Sequence, residues 1–486
     1  MEYIIIHRMK QGVQILLDYS STVCHTKIMN NNYFGTAAFY KRTLSIAIPV
    51  MAQLLIQNLV SLVDNFMVAG LGDIKMGGVN IAGSINFIFL IFTNTVCMAG
   101  GIFMSQYKGA GDVQNMKQTF RFKLLFLGFF GIAYSLLCHA APRQLFSVMV
   151  TINKDAPAIL DQAQIYSRAV AFSWIFMVLA QACASSLREI EKVRAPLIIS
   201  IAATLINTLF NWLLIYGNLG FPRLEVKGAG YATVIAQFSQ LMIFVVYLLI
   251  RRPDFIFNPL KIFAVKLSLF IAISKKSVVI LYSELLWAFS ETFSNALYNT
   301  RGGAEVVSGM AAGYAIANLF FICFSGIVTS TGVVIGQELG AGHLDEAKKQ
   351  KNWILTGSAI FGAFFTIIGF STILLIPYVF KNLTPEARLI ARNLIIVAAI
   401  YLPLWAYINA QYAISRTGGD TKMGALCDTV GNVLFILGMV LTTFLTKLGP
   451  AAMFAIVKLS DVPKSIIAHI WLKKERWLVN LAEKNR

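Results

Sequence analysis

Apolar residues run along most of this chain without the alternation of a half-buried strand or the polar back face of a soluble helix. Stretches such as SLLCHAAP and ILTGSAIFGAFFTIIGFSTILLI are continuous. Windows of about 20 apolar residues, enough for a helix to cross a bilayer, recur from end to end. They predict about twelve spans, at 44–70, 81–105, 121–141, 162–187, 195–217, 228–250, 277–299, 309–334, 353–377, 390–413, 423–446 and 449–472. A membrane β-barrel would show weak alternating segments of about ten residues instead. The predicted class is an all-α polytopic membrane protein.

Composition agrees: 57% of the 486 residues are hydrophobic and 13% charged, against about 25% charged in a soluble domain. The formal charge of +18 invites a nucleic-acid reading, but the basic residues lie between the spans, where they set orientation. Even-numbered connections and the two termini hold roughly three times as many Lys and Arg as odd-numbered ones. Both termini are therefore expected in the cytoplasm, and no nucleic-acid partner is expected. The opening MEYIIIHRMKQGVQ lacks the form of a cleavable signal. Residues 1–41 read as a cytoplasmic leader, 42–250 as a first lobe, 251–276 as a basic inter-lobe linker, 277–472 as a second lobe and 473–486 as a cytoplasmic tail. The six cysteines (Cys24, Cys97, Cys138, Cys183, Cys323 and Cys427) show no metal-like spacing and read as buried free thiols.

The two halves echo each other. GLGDIKMGGVNIAG and QYKGAGDVQNMKQ have later counterparts in RGGAEVVSGMAAGY and QELGAGHLDEAKKQ, so that Gly109 matches Gly340 and Gly111 matches Gly342. SSLREIEKVRAP, around Arg188, pairs with ISRTGGDTKMG, around Arg416. Six spans separate each element from its echo, and an even number makes the repeat parallel, with a pseudo-two-fold axis along the membrane normal. Two six-helix lobes around a central cleft follow.

Polar residues inside the spans are the candidate chemistry, because an acid at mid-bilayer costs about 2.5–3.5 kcal/mol and needs a cavity or a partner. Asp64 lies in NLVSLVDNFMVAGLGD, toward the outer half of span 1. Span 7 carries Glu284 and Glu291 seven residues apart in SELLWAFSETF, on one helix face. Under the repeat, Glu284 aligns with Gln53 and Asp64 with Asn295. A carboxylate in a partly dehydrated cavity takes up H⁺ or holds Na⁺; the plainer account is an acid hydrated or satisfied near a helix end. Asn207 and Asn211 share a face of span 5, a spacing that by itself favours stitching two helices together. Asp428 reads as a helix-end acid beside Lys422, and Lys458, Asp461 and Lys464 as an internal ion pair of span 12. The five histidines form no cluster, no HExxH, GxSxG or Walker motif is present, and no enzyme activity or bound cofactor is expected.

The chain resembles the MATE (multidrug and toxic compound extrusion) family of the multidrug/oligosaccharidyl-lipid/polysaccharide flippase superfamily, in its bacterial NorM/DinF-like form, over about residues 42–480. IPVMAQLLIQNLVSLVDNFMVAGLG, SLREIEKVRAP, NTLFNWLLIYGNLGFPRLEVKGAGYAT, SELLWAF, GQELGAGHLDEA and SRTGGDTK carry the likeness. It implies a secondary antiporter of the bacterial inner membrane, acting as a monomer, that exports cationic or amphipathic small molecules against entering Na⁺ or H⁺ by alternating access of its lobes. Asp64 matches the family's span-1 aspartate, Asn207 an asparagine beside it, and Thr233 a further position; Asn211 stands where many members have aspartate. Glu284 matches the span-7 glutamate of the NorM-type branch. The partner aspartate of that branch has no counterpart in IYLPLWAYINAQY, which leaves Glu291 as the substitute. Na⁺ sites are thus expected at Asp64 or Glu284. Rival readings are a lipid-linked saccharide flippase, which needs cationic residues in the cleft, and a membrane receptor or scaffold without transport.

Overall fold

The computed structural model describes residues 33–147 and 156–484, and among these every regular element is helical. Among the described residues, and leaving aside helices of six residues or fewer, fourteen helices carry the fold: α1 (Ala37–Ala69), α2 (Asp73–Gly109), α3 (Val113–Ala140), α4 (Ala156–Val170), α5 (Ser173–Glu189), α6 (Arg194–Tyr216), α7 (Val226–Arg251), α8 (Leu267–Tyr298), α9 (Ala304–Gly340), α10 (Leu344–Thr372), α11 (Pro385–Thr417), α12 (Lys422–Leu445), α13 (Pro450–Val457) and α14 (Asp461–Lys473). Each expected span falls on one of these or on a pair of them. Large apolar side chains such as Leu205, Ile250 and Phe444 stand exposed around the outside, as a lipid-facing surface requires. Residues 1–32 of the expected leader lie outside the described residues.

Two spans are broken. The fourth bends by 55° between α4 and α5. The twelfth divides at a 3-10 turn over Lys458–Ser460, where Pro463 cannot supply the N–H that the Leu459 carbonyl needs. The same deficit is repaired inside α11: Pro403 leaves the carbonyl of Ala399 free, and Thr366 from α10 donates its hydroxyl to it at 2.8 Å. Nine described helices are long and apolar enough to cross a bilayer, ten with the bent pair; α8 and the α13–α14 pair fall short. Those are the segments that carry Glu284, Glu291, Lys458, Asp461 and Lys464.

The repeat is visible in the backbone. α2 and α9 are each 37 residues long and begin and end 231 residues apart, at Asp73 and Ala304 and at Gly109 and Gly340. They are also the most buried of the spans and form the seam between lobes. At their ends the lobes meet backbone to backbone: a Cβ on Gly109 would overlap Gln337, and one on Gly340 would overlap Gln106. Gln106 donates to the carbonyls of Thr417 at 2.8 Å and Val479 at 3.2 Å, and accepts from the Leu481 amide at 2.7 Å. The tail thereby folds back over this end, with Trp477 fully buried. Arg42 adds bonds to Glu191 at 2.6 Å and Gln337 at 2.8 Å. The expected linker is shorter and tighter than its composition suggests, since α8 already starts at Leu267. Phe255 packs on Phe120, and Arg121 donates to the Ala264 carbonyl at 2.9 Å.

Candidate functional site

Three polar settings sit within or between the two bundles. In the first lobe, α1 and α6 place Asp64 against the amide pair. Asn211 donates to the Asp64 carboxylate at 2.9 Å and to the Asn207 carbonyl oxygen at 3.3 Å. Asn211 is buried and Asp64 half-buried. The Asn211 carbonyl oxygen is enclosed without a hydrogen-bond partner among the described residues, an open acceptor beside the acid. Thr233 on α7 turns its hydroxyl back to the Ala229 carbonyl at 3.0 Å, and Tyr166 on α4 stands next to both Thr233 and Asp64. Three of the four candidates thus meet directly, with Thr233 behind Tyr166. The amides do more than stitch helices, because one of them holds the acid.

In the second lobe the acids are separated and occupied. Glu291 accepts from Lys458 at 2.7 Å, and that ammonium group lies over the rings of Phe435 (4.6 Å), Phe454 (5.4 Å) and Trp405 (5.8 Å). Asp428 pairs with Lys464 at 2.7 Å and accepts from the Tyr412 hydroxyl at 3.0 Å. Asp461 takes the Trp405 indole N–H at 2.8 Å. The pairing expected within span 12 is therefore corrected: both lysines turn outward to acids of α8 and α12. Asp428, likewise, is held by Lys464 rather than by Lys422. Each ammonium group reaches across to an acid on a facing helix, where the partner offsets the cost of taking the charge out of water.

Between the lobes lies a cavity of about 470 Å³, lined by α1, α2 and α5 from one side and α8, α9 and α11 from the other. Gln53, Arg188, Glu189, Glu284, Asn409 and Arg416 supply its polar wall. Glu284 belongs here and pairs with Arg416 at 3.3 Å; Asp64 and Glu291 do not line it. Sequence reasoning missed a second pair: fully buried Lys123 donates to both Glu189 oxygens, at 2.8 and 2.6 Å, and to Ser185 at 3.0 Å. Gly100 and Gly101 make room for it, since a Cβ on either would strike Lys123 or Glu189. That glycine pair opposite a basic residue was the available signal.

Two lobes joined by a sealed seam, a polar cavity between them and carboxylates inside the spans define a multi-spanning transporter of the two-lobed kind. The MatE family model matches residues 49–213 and 280–444, one segment in each lobe, and the chain belongs to that family. Multidrug and toxin extrusion protein 1 of Xenopus tropicalis is 24% identical over 443 residues, covering 90% of this chain and 74% of that protein. Among solved structures, MATE in complex with MaL6 superposes with a TM-score of 0.81 at 16% identity, over 92% of this chain and 98% of that one. An outward-facing multidrug resistance MATE transporter of the MOP superfamily gives 0.78 at 17%, over 90% and 95%. A MOP superfamily transporter from Pyrococcus furiosus gives 0.78 at 16%, over 92% and 97%. The expected two-lobed helical fold is borne out.

Proposed function

We propose that this MATE transporter is a cation-coupled antiporter in which Asp64 is the coupling group, and that it exports amphipathic small molecules bearing a cationic group. One observation carries the reading. Among the described acids inside the spans, Glu189, Glu284, Glu291 and Asp428 each pair with a lysine or arginine, and Asp461 accepts the Trp405 indole N–H within the field of Lys464, whereas Asp64 is held by the Asn211 amide alone with no cationic group beside it. A carboxylate closed by a tethered lysine or arginine already holds its counter-charge and gains little from a mobile ion. A carboxylate held only by amides does gain, and the unpaired Asn211 oxygen is a second ligand for Na⁺ or an acceptor for the proton of a carboxylic acid.

On the Lys and Arg bias, the sealed end is cytoplasmic and the conformation faces outward. In that state Asp64 takes Na⁺ or H⁺ from outside. The lobes then rock about the Gly109–Gly340 seam, the cation leaves inward, and the cargo moves the other way. Asp64→Asn keeps the hydrogen-bonding shape but cannot bind or release a cation. Cells making the variant at normal levels are expected to lose ethidium efflux that collapses with the ion gradient in wild type. Near-normal, gradient-sensitive efflux by Asp64→Asn would refute the assignment.

A further inference from the structure

The cavity wall is not charge-balanced, and the imbalance is a difference between the two repeats. Arg188 and Arg416 occupy equivalent places, each in the last turn of its helix. The turns after them match bond for bond: Lys192 donates to the Leu187 carbonyl at 2.9 Å, and Asp420 to the Ser415 carbonyl at 3.0 Å. Glu191 and Gly419 take the same left-handed φ of 66° and 81°. In the second lobe α8 presents Glu284, which closes Arg416 at 3.3 Å. The residue 231 positions earlier, the offset that relates α2 to α9, is Gln53. Gln53 is buried and donates to the Ser200 hydroxyl at 2.7 Å. Arg188 therefore lacks the acid that its counterpart has. The neighbouring Glu189 is held through both oxygens by Lys123. Among the described residues no hydrogen bond or ion pair is made by the Arg188 guanidinium, which borders the cavity and feels Glu189 only at longer range. Lys123, Arg188 and Arg416 face Glu189 and Glu284, leaving one positive charge over.

We propose that Arg188 is an anion subsite of the cargo cavity, taking a carboxylate, sulfonate or phosphate group. This rests on the transport reading above and narrows it: the preferred cargo is zwitterionic, with an oxyanion as well as its cationic group. A guanidinium presents paired N–H donors matched to a planar oxyanion, and in a confined, partly dehydrated cavity an uncompensated cation is stabilised strongly by one. The oxyanion of a lipid headgroup has the same chemistry, and the test separates the two sources.

The full-length protein is titrated at equilibrium, with no ion gradient, with rhodamine B and with rhodamine B ethyl ester. The two share a xanthylium cation and differ in a carboxylate against an ester. Esterification adds apolar surface, so a cavity without an anion subsite prefers the ester. Wild type is expected to bind the carboxylate dye roughly tenfold more tightly, both in detergent and in phosphatidylcholine nanodiscs. Arg188→Gln is expected to abolish or reverse that preference, and Gln53→Glu, which restores the acid of the other lobe, to do the same. Arg188→Lys is expected to retain part of it. Three results would overturn the proposal: equal or ester-favouring binding by wild type, no binding of either dye, or an unchanged preference in Gln53→Glu. A preference confined to detergent would also overturn it, assigning Arg188 to lipid phosphate. Because no gradient is present, loss of coupling at Asp64 leaves this outcome unaffected.

Discussion

At the scale of single residues, partnership separates working acids from structural ones. Glu291 and Lys458 hold opposite, largely buried charges between α8 and the end of α13, with the lysine ammonium group over aromatic rings. Removing one member strands the other. Glu291→Gln is expected to lower stability by about 3 kcal/mol, seen as a fall in the thermal midpoint of detergent-solubilised protein, and Glu291→Leu with Lys458→Met to recover most of it. The Asp64, Asn207 and Asn211 group was legible through the family resemblance, whereas the spacing of the two asparagines by itself favoured helix stitching. The pairs Glu291–Lys458 and Lys123–Glu189 were not: their members lie 167 and 66 residues apart, and a lysine near a span end looks the same whether it reaches lipid headgroups or an acid in the bundle. The proposed Arg188 subsite was legible only in part, since Gln53 acquires its meaning from what Glu284 does across the cavity.

Among the elements, hydrophobic periodicity located the spans but not their interruptions. Pro463 was the visible cause of the break between α13 and α14; the bend between α4 and α5 occurs at Ala171–Phe172 with neither proline nor glycine to mark it. The α10–α11 contact shows how a helix absorbs a proline. Thr366→Val leaves the Ala399 carbonyl unsatisfied in the membrane and is expected to cost about 1–2 kcal/mol. Thr366→Ser, which keeps the hydroxyl, should cost less; comparing the two thermal midpoints checks this. The matched glycines of α2 and α9 have a stricter role than the sequence alone required. No side chain fits where Gly109 meets Gln337 and Gly340 meets Gln106. Gly340→Val is expected to hold the lobes apart at the sealed end, raising the labelling rate of a cysteine substituted for buried Ser105 on α2 relative to the same cysteine in the wild-type background.

For the whole molecule, the parallel repeat explains both the architecture and its asymmetry. Two copies of one fold meet at a pseudo-two-fold seam and differ in charge: among the described residues the second lobe pairs Glu284, Glu291 and Asp428 with an arginine and two lysines, while the first leaves Asp64 without a cationic partner and Arg188 without an ion pair. An alternating-access device needs one group whose charge changes during the cycle and others whose charge does not. On that view coupling belongs to the first lobe, at Asp64, and the second lobe is a fixed electrostatic partner. The most direct measurement is dye accumulation against a concentration gradient in proteoliposomes, driven by separately imposed Na⁺ and pH gradients, for wild type, Asp64→Asn and Glu291→Gln. The account predicts that one of the two gradients drives accumulation in wild type, that Asp64→Asn loses uphill accumulation while still equilibrating dye across the membrane, and that Glu291→Gln, where folded, keeps its coupling. Uphill accumulation by Asp64→Asn, or coupling lost in folded Glu291→Gln and kept in Asp64→Asn, would contradict it.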